Sequence, residues 1–353
     1  PVGGSQEMAK RLVPVITAAG GRVLVRARVE EILVDSPSGK TTGVRLADQS
    51  VVPCKRVISS IGYHNTFGKL VPEEATTLFG IPRRLPVRDS CSWVMANIGL
   101  RGSAEELGLT CTNLWYHPTR ERGDMFGAVD DFMTDPMNPD HDPMVMITFP
   151  SIKAREGEQA KRDKTTCQML CMAEHAWFEE YSDLPTRKRG AEYKAAKRAW
   201  GERFVELLLR FYPQLEGRIE LLDVSTPLSI EHYLGSHGGG AVGLDQSPER
   251  FTDWRVADWV DSRTPIEGLW LTGQDTVTCG QPIVQAAGLI TAFRASGLVQ
   301  TLRYLARTLP PIVRGVRAEH GDASASGPSH PSDQDWQAPS DAPREEDLAA
   351  AES

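Results

Sequence analysis

One short segment limits what this chain can fold into more than any other. Leu269-Trp-Leu271 is an apolar run of strand length; Thr272-Gly-Gln-Asp275 follows it, and Gly280-Gln-Pro282 comes a few residues later. An apolar strand that ends at a glycine and leads into a proline-started helix is the strand-turn-helix unit of an α/β fold. Gly273, at the strand end, lets another group approach the backbone closely. Pro282 suits a first helical turn, where free amides at Ile283 and Val284 would favour negative charge. Asp275 can accept two hydrogen bonds, from hydroxyls or from a phosphate-bearing chain, or it can cap the turn; the residues alone leave both readings open.

Upstream elements follow the same logic. From Gln6 to Gly20, apolar residues at Met8, Leu12, Val15 and Ile16 have helical spacing, closed by Gly20-Gly21. Arg22–Val25 reads as a short strand, and Val29–Asp35 with Gly43–Leu46 as a hairpin around Ser36-Pro-Ser-Gly39. Val51–Ile58 reads as another strand, ending at Ser59-Ser-Ile-Gly62. This order suits the later half of an α/β nucleotide-binding domain, whose first part is expected to precede Pro1. Residues 1–66 and 265–310 are therefore assigned to that domain, the latter with a helix from Gly280 to Leu309.

The composition changes between these two pieces. Asp89–Leu100, Met144–Phe149 and Thr165–Met172 read as strands of a second sheet, with an Asp/Pro/Asn-rich loop over Asp130–Pro143. Ala191–Phe211 carries an apolar stripe through Ala196, Trp200, Phe204, Leu207, Leu208 and Phe211, and Pro213 stops it. Residues 67–264 are thus expected to form an α+β insertion. Residues 319–353 are rich in Ser, Pro, Asp, Ala and Glu, with a single aromatic, Trp336; such a tail is expected to be disordered and acidic.

Charge and cysteines exclude some classes of function. The net charge of −8 resides in that tail, which holds nine acidic residues and one basic, so the body has 38 of each. A neutral body without a basic stripe argues against a nucleic-acid partner. The six cysteines (Cys54, Cys91, Cys111, Cys167, Cys171, Cys279) form no Cys-x-x-Cys pair, and no His lies at zinc-ligand spacing, so no metal site is expected. Gly238-Gly-Gly-Ala-Val-Gly243 fits G-x-G-x-x-G by letter, but Leu-Asp-Gln-Ser-Pro248 follows it. A dinucleotide fingerprint must open a helix there, so a close-packed or flexible glycine loop is the better reading. No Gly-x-Ser-x-Gly elbow, His-Glu-x-x-His or P-loop lysine motif occurs.

Several stretches together carry a resemblance: Gly20-Gly-Arg-Val-Leu24 with Val25–Asp35, Ala176-Trp-Phe-Glu-Glu-Tyr181, Lys188-Arg-Gly-Ala-Glu-Tyr193, Phe211-Tyr-Pro-Gln-Leu-Glu-Gly217, Ser225-Thr-Pro-Leu228, and Leu271–Asp275 with Thr278-Cys-Gly280. In these the chain resembles the carotenoid isomerase and phytoene desaturase family, and within it the retinol saturases, from about Gly3 to Leu302. The resemblance implies an FAD-binding α/β domain interrupted by a substrate domain. It implies FAD contacts at Val29 (adenine), the turn Ser60, Ile61 and Gly62, then Gly273, Gln274 and Asp275 (pyrophosphate and ribitol), with Ile283 and Val284 under the flavin. It places the loop with His232, Tyr233 and His237 on the substrate side, as candidate proton donors beside surface or structural histidines.

The activity so implied is saturation of a C=C bond of a lipophilic polyene such as all-trans-retinol, with NAD(P)H as an electron source. Carotenoid cis–trans isomerisation or desaturation is the second reading, and a truncated, non-catalytic fragment is the third. Gly280-Gln281 resembles the isomerases, while Gly273-Gln-Asp275 and Thr278-Cys-Gly280 resemble the saturases. The family's glycine-fingerprint β-α-β unit is expected upstream of Pro1, so a flavin site would be only partly supplied by this chain. Leu298, Leu302, Leu305 and Leu309 share one helix face, which either packs on the protein or touches a membrane surface. An endoplasmic reticulum membrane location comes from the resemblance alone.

Overall fold

The computed structural model describes residues 5–120, 123–153, 163–186 and 188–308, so the expected acidic tail and Leu309 lie outside the described residues. Helix α1, Gln6–Ala18, forms as its spacing predicts and ends before Gly20, whose φ of +81° only glycine adopts readily. None of its side chains is buried; Leu12 is 62 % exposed and Val15 66 %.

The expected strand at Arg22–Val25 does not form. That segment makes no ladder, and Leu24 and Val25 are largely exposed. β propensity describes how a residue fits a paired, half-buried surface, and this segment has no such surface beside it among the described residues.

Strands β1 (Val29–Asp35), β2 (Lys40–Leu46) and β3 (Val51–Pro53) form an antiparallel meander, with Ile32 opposite Val44 and Val44 opposite Val52. The single strand expected over Val51–Ile58 is two: β3 ends at Pro53, and β4, Val57–Ser59, leaves the meander. Pro53 has no amide to continue the ladder, and the chain changes sheets there. β4 pairs in parallel with β10, Leu269–Leu271, in the register Val57↔Leu269 and Ser59↔Leu271. Two strands separated by more than two hundred residues thus lie side by side with their C-terminal ends together.

From Gly62 the chain enters α2 (Tyr63–Asn65), continues as a wider turn over Thr66–Leu70, and forms α3 (Glu73–Leu78). A five-stranded antiparallel sheet follows, in the order β6-β7-β8-β5-β9. Its strands are β5 (Ser92–Arg101), β6 (Leu114–Tyr116), β7 (Val145–Thr148), β8 (Lys164–Ala173) and β9 (Ile219–Ser225). Helix α4, Met125–Thr134, occupies part of the expected loop; Asp124 caps it by accepting from Gly127 N at 2.8 Å. Asp and Asn favour helix starts as well as loops, which is why composition misplaced this element.

Strict alternation puts Val94, Ala96, Ile98 and Leu100 of β5 beside Cys171, Met169, Cys167 and Thr165 of β8, all buried. Helix α5, Gly190–Phe211, contributes Trp200, Phe204, Leu207 and Leu208 to this core. Trp200 stacks on Trp177 at 5.8 Å and meets Phe132 edge-on at 6.2 Å.

A second core joins Ile32, Tyr63, Phe67, Val71, Ile81, Leu85 and Val87 to Leu244, Val256, Ile266, Leu269 and Leu271. Residues 67–87 and 244–266, inside the stretch read as an insertion, therefore pack with β1 and β10. Around them lie α6 (Pro227–Leu234), α7 (Pro248–Thr252) and α8 (Trp254–Val260). The expected helix to Leu309 is interrupted: α9 runs Gln281–Ser296, Gly297 takes φ +82°, and residues 298–308 are helical again. The chain divides into one unit ending at Ala295 and another starting at Ser296.

Candidate functional site

Parallel pairing of β4 and β10 brings the turns that follow them together. Thr272 N donates to Ser59 O at 2.9 Å, so Ser60-Ile-Gly62 and Gly273-Gln-Asp275 leave the same sheet edge side by side. Gly62 and Gly273 take φ of +87° and +100°, conformations that bend each chain sharply away from its strand. In open α/β sheets this carboxyl edge is where ligands bind.

A third wall comes from the glycine loop. Gly238–Gly243 opens no helix; it runs beside residues 88–91, with Ser90 N on Gly243 O at 2.8 Å and Val242 N on Ser90 Oγ at 3.0 Å. It is close-packed, and α7 starts only at Pro248. Between the three turns lies a groove of about 210 Å³ lined by Ser60, Asn65, Asp89, His237, Thr272 and Gln274, among others.

Asp275 locks the walls. It is 5 % exposed; Oδ2 accepts Tyr63 N at 2.7 Å and Oδ1 accepts Leu244 N at 2.9 Å. The two hydrogen bonds anticipated from hydroxyls or phosphate go to backbone amides of the other two turns. Beside it the Arg250 guanidinium, 2 % exposed, donates to Leu244 O (2.8 Å), Gln274 O (2.7 Å) and Asp275 O (3.0 Å). Burial holds that guanidinium below its usual value, while the nearby Asp275 charge opposes the shift.

Three buried polar atoms of residues that line the groove, Asn65 Oδ1, Ser236 Oγ and Thr272 Oγ1, have no partner among the described residues. Asn65 spends its amide on Ile61 O (3.1 Å) and Gly235 O (2.8 Å), so its oxygen is left for something else. Buried polar atoms are nearly always hydrogen-bonded, so three together point to a polar ligand or water.

One wall also carries a titratable chain. Asp89 Oδ1 meets His64 Nδ1 at 3.0 Å, and Oδ2 meets His237 Nδ1 at 2.6 Å. Burial pushes the Asp89 carboxyl up, but the hydrogen bonds from His64 and His237, together with the positive charge these rings carry when protonated, more than offset it and hold the carboxyl below its usual range.

Of the residues picked from sequence, the groove gathers Ser60, Ile61, Gly62, Gln274, Asp275 and His237. Val29 is half-buried in β1, paired with Leu46 and away from the groove lining. Ile283 and Val284 stand in the first turn of α9, and there the expectation of two free amides fails: Val284 N donates to Gly280 O at 2.9 Å, closing the turn. His232 faces Thr186 Oγ1 at 3.2 Å, and Tyr233 is 70 % exposed. His64, Asn65, Asp89, Ser236, Arg250 and Thr272 were missed. Their only sequence signal is that His64, Asn65 and Thr272 sit just past an apolar strand.

No protein-family profile matches the chain. It is 36 % identical over 287 residues to rat all-trans-retinol 13,14-reductase, covering 79 % of this chain and 46 % of that protein. An inactive all-trans-retinol 13,14-reductase from Danio rerio is 25 % identical over 300 residues, 83 % of this chain and 48 % of that one. A chloroplastic prolycopene isomerase from Arabidopsis thaliana is 24 % identical over 309 residues, 84 % and 45 %. The chain spans about half the length of the curated relatives it matches. Among solved structures, a putrescine oxidase aligns with TM-score 0.48 at 15 % identity, over 84 % of this chain and 52 % of that chain.

Proposed function

This chain is a homologue of part of all-trans-retinol 13,14-reductase, related also to the prolycopene isomerases, and from that premise we propose that it forms one wall of a flavin-dependent oxidoreductase that saturates a C=C bond of a conjugated polyene. On this reading β4, β10 and the meander belong to an FAD-binding α/β domain, and the five-stranded sheet with α5 belongs to the substrate domain.

The observation that carries it is the groove at the paired strand ends, with its three unpartnered polar atoms. At about 210 Å³ it is smaller than the ~300–1,000 Å³ of a typical ligand pocket, so it suits one part of a dinucleotide. The residues fit that partial role. Two glycine turns leave backbone open to a flat ligand, while Asn65 Oδ1 and two hydroxyls have hydrogen bonds that no atom of the described residues takes. Ser60, Ile61, Gly62, Gly273 and Gln274 would hold the cofactor here, and Asp275 would hold the turns that carry them. FAD, reduced by NAD(P)H, would supply the hydride equivalent. The protein's share is orientation, exclusion of water and the proton.

Absorbance and product mass test this. The full-length protein should purify with flavin absorbance and, given a reductant and all-trans-retinol, yield a product heavier by H₂. A product of unchanged mass and altered double-bond geometry would favour the isomerase reading, which the prolycopene isomerase relatives support. A colourless protein inert on retinoid and carotenoid alike would favour a non-catalytic chain, as the name of the inactive relative suggests. Residues 298–308 expose Leu298 and Leu302, and a peripheral, endoplasmic-reticulum membrane contact through them is part of the same proposal; cell fractionation tests it.

A further inference from the structure

We propose that His64 and Asp89 orient His237 as a proton donor, with His237 Nε2 as the acid that protonates the polyene; this rests on the flavin-dependent reading above. The geometry fixes the direction of the chain one atom at a time. His64 is 4 % exposed, and its Nε2 faces the Leu85 backbone amide at 3.3 Å. An amide only donates, so Nε2 is the acceptor and the His64 hydrogen sits on Nδ1. That hydrogen is donated to Asp89 Oδ1 at 3.0 Å. Asp89 Oδ2 then accepts from His237 Nδ1 at 2.6 Å, and Nε2 of the second ring has no hydrogen bond among the described residues.

His237 also stands between two spaces. It lines the small groove at the strand ends, and it lines a charged surface basin of about 580 Å³ with Lys69, Arg84, Glu174, Glu179 and Glu231. One space suits a reacting atom and the other an exchange of protons with water. Of the three substrate-side candidates, only His237 has this pairing; His232 faces Thr186, and Tyr233 is exposed.

The same three residues bring their ligand atoms within 4.8 Å of one another, close enough for a metal ion. The Leu85 amide argues against that use. Ligation through His64 Nδ1 moves its hydrogen to Nε2, donor against donor, whereas metal-bound imidazoles give the second nitrogen an acceptor.

On the reading above, a bound anionic reduced flavin would supply the hydride that forms a C–H bond at one carbon as the C=C π bond breaks, and would be left as oxidised flavin. The electron pair left at the neighbouring carbon takes the proton from the doubly protonated His237 ring, so Nε2–H breaks, the second C–H forms and the ring is left neutral. The neutral ring, still tied to Asp89 through Nδ1, is reprotonated from the basin. Asp89 acts as a positioning residue throughout, and His64 positions Asp89.

Two measurements test the chain. In the full-length protein labelled with ¹⁵N-histidine, without cofactor or substrate, long-range ¹H–¹⁵N spectra should place the neutral-form hydrogen on Nδ1 of both His64 and His237. D89N should spread His237 over both tautomers. A His64 hydrogen on Nε2 would overturn the proposal, whatever the activity. In the flavin-loaded protein, His237→Asn keeps a donor where Nδ1 stands and removes Nε2. It should lower kcat by about 100-fold or more, the usual share of a general acid, with KM and Tm unchanged. A variant that keeps most of the wild-type kcat refutes the role. Failure of the underlying reading shows itself separately, as a wild type that reduces no polyene while its spectra still report the tautomers, and it also removes the role proposed for His237.

Discussion

Asp275→Ala should unfold the candidate site from its centre. The carboxylate joins the turn after β4 to the glycine loop through Tyr63 N at 2.7 Å and Leu244 N at 2.9 Å, and only 5 % of the residue is exposed. Alanine leaves both amides buried without partners, at about 1–3 kcal/mol each. It also removes the negative charge beside the buried Arg250. Relief from burying a carboxylate, and water entering the vacated space, recover part of this; the net loss is about 3 kcal/mol. Asp275→Asn keeps one acceptor but turns an NH₂ toward the other amide, so roughly two-thirds of that loss should remain. For a large domain a loss of ~3 kcal/mol lowers Tm by about 6–12 °C. Urea denaturation followed by tryptophan fluorescence, with thermal melts, measures both variants. An Asp275→Ala protein within about 1 kcal/mol of wild type that binds flavin more weakly would refute the locking role and make the carboxylate a direct ligand.

Because the Asp89 carboxyl is held below its usual range in the fold, its contribution is present above the unfolded carboxyl value and is lost as pH falls through the folded one. D89N should therefore be less stable than wild type at neutral pH, with the gap closing in acid; a gap independent of pH would contradict this. Trp200→Ala empties the aromatic cluster of Trp177, Phe132 and Phe204 and should cost about 3–5 kcal/mol in chemical denaturation. Gly243→Ala puts a methyl against Asp275 Oδ1 at φ +77° and should destabilise, whereas the open Gly280 site tests φ strain alone. Burial pushes the Cys167 and Cys171 thiols up to about 12, so alkylation of the native protein at pH 8 should label exposed Cys111 and spare both; labelling of Cys171 before unfolding would count against the packed sheet.

How much of this could be read beforehand depended on whether the signal was local. The α5 stripe, the β1–β2 hairpin and the apolar Leu269–Leu271 run each carry their own periodicity, and all three formed. Arg22–Val25 carries the same apolar character but makes no ladder, because a strand also needs a neighbour. Helix α4 was hidden because its second half lies in the Asp/Pro/Asn-rich stretch from Asp130 that reads as loop, and the cap at Asp124 shows only in its hydrogen bond.

The site divides in the same way. Leu271–Asp275 was recognisable from its residues, and so was the turn Ser60–Gly62, because glycines at strand ends have a local conformational reason. Which groups those turns would meet was not. Asp275 looked like a ligand for hydroxyls or phosphate, yet its oxygens go to amides 212 and 31 residues away in the chain. His237 lies 148 residues from Asp89, and no spacing rule joins them. Sequence alone determined most of the strands, the turns after β4 and β10, and the family resemblance, since these depend on neighbours along the chain and on motif order. The tertiary structure decided which carboxylate holds the turns, which histidine faces the groove and which polar atoms remain unpaired. Those outcomes depend on long-range pairing of β4 with β10, where a hydrogen bond is made or lost by less than an ångström.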